Sequence, residues 1–319
     1  MRAIPLLSLL LSGWLVVPAH ADDAQDWLVR LGQAEQKQSF EGTFVYERNG
    51  SFSTHSIWHR VQDGKVRERL LQLDGSAQEV VRVDGRTQCV SGALIAGLGD
   101  SPKSAARALD PQKLKNWYDL AVVGKSRVAG REAVIVSLTP RDQHRYGFEL
   151  HLDKETGLPL KSLLLNDKGQ LLERFQFTRL NTTDLPSEAE LQPNDDCRAV
   201  VLDSDKASAA KTAQAWHSDW LPPGFELTGT TSRNDPETKT QVNSMMFDDG
   251  LARFSVFLEP LNGATVTDTR TQLGPTVAVS RRLTTPQGEI MVTVVGEIPI
   301  GTAERIALSM RNDSFSTKQ

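Results

Sequence analysis

The residues able to do chemistry are few and scattered. The chain has 319 residues, six histidines and two cysteines, Cys89 and Cys197. His55 and His59 stand four apart in "FSTHSIWHRV". On a helix that spacing would offer two imidazoles to one metal ion. The segment alternates as a strand does, and in a strand positions i and i+4 share a face but lie roughly 13 Å apart. Two nitrogens so far apart cannot close on one ion, and no metal is expected. His144 and His151 flank Arg141, Asp142, Arg145 and Tyr146, which read as a charged cross-strand surface. The acid-rich stretch "HLDKETGLPLKSLLLNDKGQLLERFQF" (151–177) contains Asp153, Glu155 and Asp167. A catalytic pair of carboxylates needs a shared, partly dry pocket to separate its pKa values. Here "DKETG" and "NDKG" carry turn chemistry, with Gly157 and Gly169 where the backbone needs positive φ. The three acids are therefore expected at exposed tips.

No G-x-S-x-G, C-x-x-C, phosphate-cradling loop or H-E-x-x-H occurs in the chain. "GALIAGLG" (92–99) lacks the spacing of a nucleotide loop. The expectation is a binding protein without catalytic residues or cofactor. With 36 basic against 40 acidic side chains, nothing points to nucleic acid, whose binders concentrate positive charge.

Residues 1–21 read as a secretory leader. Arg2 precedes an apolar run from Ile4 to Val17, and Ala19-His20-Ala21 supplies the small-x-small cleavage pattern. Cleavage between Ala21 and Asp22 is expected, giving a soluble protein exported to an oxidising compartment; the alternative is a retained membrane anchor. In that oxidising compartment Cys89 and Cys197 are candidates for one disulfide. The alternative is two buried thiols.

The remaining pattern describes two domains joined by a linker. A helix is expected from Asp22 to about Gln38, with Trp27, Leu28, Leu31 and Ala34 on one face. Period-two strands follow, separated by turns at Asn49-Gly50, Asp63-Gly64, Asp74-Gly75 and Asp84-Gly85. A helical patch is read over 102–118, with Pro111 near a helix start after Asp110, and more strands lie beyond it. The first domain, 22–180, is therefore mainly β, a large curved antiparallel sheet with covering helices. Residues 181–215 are poor in apolar side chains and form the linker. A smaller strand-rich α+β domain occupies 216–319, with strands near 225–231, 240–248, 251–259, 275–283 and 289–297. Thr302 is placed to cap a last short helix.

The strings "FEGTFVYERNG", "ERLLQLDG", "EVVRVDGRTQC", "RYGFELHLDKETGLPLKS" and "WLPPGF…DGLARFSVFLEPL" resemble the MucB/RseB family of periplasmic regulators over essentially the whole mature chain. The resemblance implies a first domain similar to the lipoprotein carrier LolA, a half-open antiparallel barrel with helices in its mouth. It implies negative regulation of envelope-stress signalling, which in pseudomonads restrains alginate production. The partner would be the periplasmic domain of a MucA/RseA-like anti-sigma factor, shielded from site-one proteolysis. Acyl lipid or lipopolysaccharide would release it.

Paired leucines suggest strands that are apolar on both faces. Phe44, Tyr46, Trp58, Leu70, Leu71, Leu163, Leu164 and Leu165 are the candidates for a lipid groove. Trp216, Trp220 and Phe225, near the hinge, are the candidates for partner contact. A lipid or lipoprotein carrier is the rival reading, though it leaves the second domain without a role. An exported hydrolase is the third and has no motif behind it.

Overall fold

The structure is a computed structural model and describes residues 21–76, 78–92, 109–200, 216–234, 240–286 and 288–312. All of the expected leader (1–21) but Ala21, most of the glycine loop, the start of the 102–118 patch and residues 201–215 lie outside the described residues.

Helix α1 (Ala21–Lys37) buries Ala24, Leu28, Leu31 and Ala34, which recur three and four apart on one stripe. That stripe lies in the curve of a large sheet. The strands are β1 (Phe40–Arg48), β2 (Ser51–Gln62), β3 (Lys65–Gln72), β4 (Glu79–Val83), β5 (Arg86–Val90), β6 (Tyr118–Val128), β7 (Arg131–Pro140), β8 (Gly147–Asp153), β9 (Pro159–Leu165), β10 (Leu171–Asn181) and β11 (Arg198–Ala199). Their order across the sheet is β11-β5-β4-β3-β2-β1-β10-β9-β8-β7-β6. The neighbours are antiparallel, and the sheet remains open between β6 and β11.

The hairpins follow from turn chemistry. Asn49-Gly50, Asp63-Gly64, Asp84-Gly85 and Ala129-Gly130 have positive φ at both central residues. That is the two-residue turn whose twist matches paired strands, and Asn, Asp and Gly tolerate it best.

Between β5 and β6 a single turn of helix, α2 (Pro111–Leu114), is capped by the Asp110 carboxylate, which accepts from the N–H groups of Gln112 and Lys113. The expected 102–118 helix is thus shorter where it is described. Tyr118 already pairs with Pro140 in the sheet, and pairing ends the helix.

The C-terminal half forms a second antiparallel sheet from β13 (Glu226–Asn234), β14 (Gln241–Asp248), β15 (Arg253–Pro260), β16 (Thr269–Leu273), β17 (Thr276–Thr285) and β18 (Gly288–Gly296), ordered β13-β14-β15-β18-β17-β16. Helix α3 (Ile300–Ser309) packs on one face through Ala303, Ile306 and Ala307. Two short strands, β12 (Trp216–Ser218) and β19 (Met310–Asn312), pair beside it. The helix starts earlier than Thr302, with Pro299 as the cap residue. Proline pre-sets the entry and Thr302 is buried within the first turn.

Residues 182–200 lie as a strap against β2–β5. Leu191 is buried, at 1% exposure. Arg60 donates to the Pro186 carbonyl, Arg67 pairs with Glu188, and Arg69 reaches the Glu190 carbonyl and Asn194 Oδ1. Arg69 also forms a buried ion pair with Glu79 (2.5 Å), and Glu79 accepts from the Asn194 N–H. The strap ends in β11, which pairs with β5 beside the disulfide between Cys89 and Cys197.

The disulfide closes a loop across 108 positions, for which loss of denatured-state entropy is worth up to about 4–5 kcal/mol. In Cys89→Ser/Cys197→Ser the denaturant midpoint should fall, and limited proteolysis should cut first between residues 192 and 200. Leu191 remains as the next anchor of the strap.

Candidate functional site

Two regions could receive another molecule: the concave face of the large sheet and the joint between the two sheets.

On the concave face α1 covers only part of the curve. Phe40, Phe44, Phe177 and Leu158 are buried together, and Tyr46, Ile57, Leu70 and Phe175 are half-buried against them. Three phenylalanines interlock, with Phe44–Phe175 centroids 4.7 Å apart and Phe175–Phe177 at 5.0 Å. Alternation along β1 and β2 puts His55 and His59 on this face, where Phe44 stacks on His55 and Phe40 on His59. The His59 ring bridges the Glu35 carbonyl at the end of α1 and the Glu68 carboxylate. Burial pushes the Glu35 carboxyl up, His59 draws it down, and Glu68 adds to the rise. The Tyr46 hydroxyl donates to Glu173 (2.6 Å). Burial, then that carboxylate, raises its pKa. Nearer the start of α1, Trp27, Arg30, Val122, Lys125 and Val134 line an open cavity of about 430 Å³. The Arg30 guanidinium lies 4.1 Å over the Trp27 ring.

At the joint the ends of the C-terminal strands stand on the loop 141–146 and on α2. Arg145 is fully buried and is the centre of this contact. It donates to Asp249 Oδ2 (2.6 Å) and to the Pro223 carbonyl (2.6 Å), and both oxygens of Asp142 hold it from its own loop. Its guanidinium also sits near the rings of Phe225, Tyr118 and Trp117. Asp249 is equally buried, and it accepts from the Tyr118 hydroxyl and from the N–H groups of Leu251 and Ala252. Burial pushes the Asp249 carboxyl up, and those N–H donors and Arg145 oppose it.

Around this pair, the Tyr146 hydroxyl donates to the Ile298 carbonyl, His144 Nδ1 meets Thr302 Oγ1 (3.1 Å), and Lys113 pairs with Glu226. At the far rim Arg48 reaches Thr276 and Glu297. Gly224 is required here. Its φ is +89°, and a Cβ would stand 2.3 Å from the Trp117 ring.

The predicted groove residues divide between the two faces. Phe44, Tyr46 and Leu70 lie on the concave side. Leu164 is buried and shares its pairing row with Glu173 and Phe148. Trp58 and Leu71 alternate onto the strap side, where Arg69 lies 5.1 Å over the Trp58 ring. Leu163 and Leu165 alternate away from Leu164, so the three leucines do not form one surface.

The partner candidates differ in burial. Trp216 and Phe225 are buried in the C-terminal core, and Phe225 packs 5.1 Å from Phe254. Phe225 also turns its ring to the Arg145 guanidinium at the joint (5.1 Å), and Trp220 lies there between His144 (5.0 Å, edge-on) and Arg305 (3.8 Å). The expectation of exposed acids holds for Glu155 and Asp167, but Asp153 is 1% exposed. Burial alone would raise its carboxyl. The Arg131 guanidinium and the N–H groups of Thr156 and Glu155 outweigh burial and hold it below the usual carboxylate range.

Sequence reasoning missed the pairing of Arg145 with Asp249. The only signal was "DDG" (248–250), a tight turn whose acid could accept from its own backbone. It also missed a hydrogen-bonded chain in which Ser126 Oγ meets His151 Nδ1 (2.7 Å) and His151 Nε2 meets Glu149 (2.9 Å). These residue types match a hydrolytic relay in composition, but the imidazole belongs to a residue only 4% exposed. It sits as a packed polar link between strands. Among the described residues no group of three or more His, Cys, Asp or Glu side chains could hold a metal, and no helix is long and apolar enough to cross a membrane.

Comparison with known proteins covers both halves. The family model of the MucB/RseB N-terminal domain matches residues 23–195, and that of the MucB/RseB C-terminal domain matches 210–311. The Sigma factor AlgU regulatory protein MucB of Pseudomonas aeruginosa is 62% identical over all of both chains. The Sigma-E factor regulatory protein RseB of Escherichia coli K12 is 27% identical over 89% of each. A solved Pseudomonas aeruginosa MucA/MucB complex superposes with TM-score 0.82 at 63% identity, covering 91% of this chain and 99% of that one. A crystal structure of MucB superposes with TM-score 0.68 at 60% identity, covering 91% and 98%. Matched in both halves and along its full length, the chain belongs to the MucB/RseB family.

Proposed function

We propose that this protein binds the periplasmic domain of a MucA/RseA-like anti-sigma factor and shields it from the site-one protease, so that the sigma factor stays sequestered. The observation that carries the reading is full-length identity of 62% with a protein that bears the name of a sigma-factor regulator. The overlay on a structure of that relative's MucA complex supports it. In this reading the protein acts in the periplasm after loss of residues 1–21, and its halves 22–180 and 216–319 are joined through 181–215. Binding protects by mass action: the cleavable partner is the unbound fraction. No step needs a catalytic residue or cofactor.

The partner surface is assigned to the joint, with Trp220 as the partly exposed candidate aromatic that stands there. Lipid control is assigned to the concave face, through half-buried Tyr46 and Leu70 beside buried Phe44 and Leu164. An acyl ligand that prefers the partner-free form must weaken partner binding by the factor by which the partner weakens lipid binding. The carrier reading has the same concave face behind it, but gives the C-terminal half no task.

In a protease-protection assay, the exported protein should slow cleavage of the anti-sigma periplasmic domain by the site-one protease; unchanged cleavage sinks the reading. Adding saturating acyl lipid should raise the Kd for that domain, and an unaltered Kd refutes lipid control. Asp249→Ala removes one of the two carboxylates that hold buried Arg145 and leaves Asp142 as its remaining acid, which makes the closed joint less stable. The joint can relieve it by opening to water, so this variant should bind the anti-sigma domain more weakly while each half keeps its circular dichroism.

A further inference from the structure

The joint contains an ionisable imidazole in contact with both halves. His144 lies on the N-terminal side of the seam. Its Nδ1 meets Thr302 Oγ1 on α3, and its ring stands edge-on to Trp220. The charged groups that face it are Asp142 and Arg145 on its own loop and Arg305 on α3. Arg305 already covers the Trp220 indole at 3.8 Å, and Arg145 is engaged with Asp142 and Asp249. A proton on His144 would thus add a cation beside Arg145 and Arg305 in a half-buried part of the seam, with Asp142 as the acid shared between His144 and Arg145.

We propose that protonation of His144 opens the joint between the two sheets, which makes the arrangement of the halves sensitive to acid. The physical basis is linkage. Burial holds the imidazole below its ordinary value; Asp142 draws it up, and Arg305 and Arg145 push it further down. The closed form therefore binds fewer protons than the open form, in which the ring is hydrated. Closure is fully favoured above the ordinary imidazole pKa and is lost as pH falls from there towards the depressed value. With an open-state pKa of about 6.5, the gain in open form at pH 5.5 is at most about tenfold. Two carboxyls at the same joint, Asp249 and Glu297, are pushed up by burial and carry the opposite sign. A variant at position 144 separates the contributions.

The test compares the exported protein with His144→Gln, which keeps a hydrogen-bonding group but cannot gain charge. Small-angle scattering at pH 7.5, 6.5 and 5.5 reads the ratio of open to closed forms. The wild type should gain open form towards pH 5.5, by up to about tenfold over His144→Gln. An identical response of the two proteins to pH overturns the proposal. Should His144→Gln already be open at pH 7.5, an NMR titration of the His144 ring decides. Its midpoint should lie below the ordinary value in the wild type and return to it in Asp249→Ala, where the joint is broken. Equal midpoints in those two proteins overturn it as well. Neither measurement contains a partner, so failure here is distinct from failure of the protection assay.

Discussion

The contact between Arg145 and Asp249 constrains the rest of the molecule. Both side chains are fully buried, on opposite sides of the seam between the sheets. A buried ion is tolerated only when its hydrogen-bonding capacity is filled. The guanidinium meets Asp142, Asp249 and the Pro223 carbonyl, and the carboxylate meets Arg145, Tyr118 and two backbone N–H groups. These partners come from four separate segments. The loop after β7, the first residue of β6, the turn after β14 and the segment before β13 must all be in place at once. The pair is therefore a weak source of stability and a strong source of specificity, because a shifted joint would strand a charge.

The joint is polar at its rim as well. Hydroxyl, imidazole and carboxylate contacts link Tyr146 to Ile298, His144 to Thr302, Lys113 to Glu226 and Arg48 to Glu297. Each exchanges a bond to water for a bond to protein, a net contribution of about 1 kcal/mol or less when the groups stay partly wet. Inside that rim the contact is partly apolar: Leu251 packs with Trp117 against the N-terminal core, and the Phe225 ring faces Arg145. The cores behave differently. The stripe of α1 with Leu138 and Leu152, and the cluster of Phe247, Phe254 and Val292, are dry. The molecule thus has two bodies of apolar packing and a mixed polar and aromatic contact between them.

The local structure was legible wherever a short-range rule governs it. Asn-Gly and Asp-Gly pairs specify the hairpins because few other residues accept positive φ twice in succession. Asp110-Pro111 specifies the start of α2. The mainly-β expectation, with one large sheet and a smaller one, follows from the same strand periodicity. Decisions that depend on distant chain were not legible. The run Leu163-Leu164-Leu165 states that both faces are apolar, but not what lies over either. Trp216 and Phe225 look like hinge aromatics until strands further down the chain close over them. Asp153 reads as a turn acid, and it is one, accepting from the N–H groups of Glu155 and Thr156. It is also buried, because Arg131 on the neighbouring strand draws it in.

The same limit explains why the joint escaped notice while the concave face did not. A concave apolar face is written in alternation, since Phe40, Phe44 and Tyr46 recur at even spacing on one strand. A joint is written in single residues contributed one at a time by segments far apart. Arg145 and Asp249 are 104 positions apart, and neither stands in a pattern. Their meaning lies in coincidence in space, so it emerges only when both sheets are folded. The polar chemistry of the joint and the apolar chemistry of the concave face also sit on a common frame. β1 carries Phe44 and Tyr46 towards the concave face and ends at Arg48, which contacts the C-terminal half. Glu173 receives the Tyr46 hydroxyl and lies 3.8 Å from the same arginine. A molecule entering beside Tyr46 would therefore disturb a carboxylate shared with the seam, which gives the two regions a physical route of coupling through one strand.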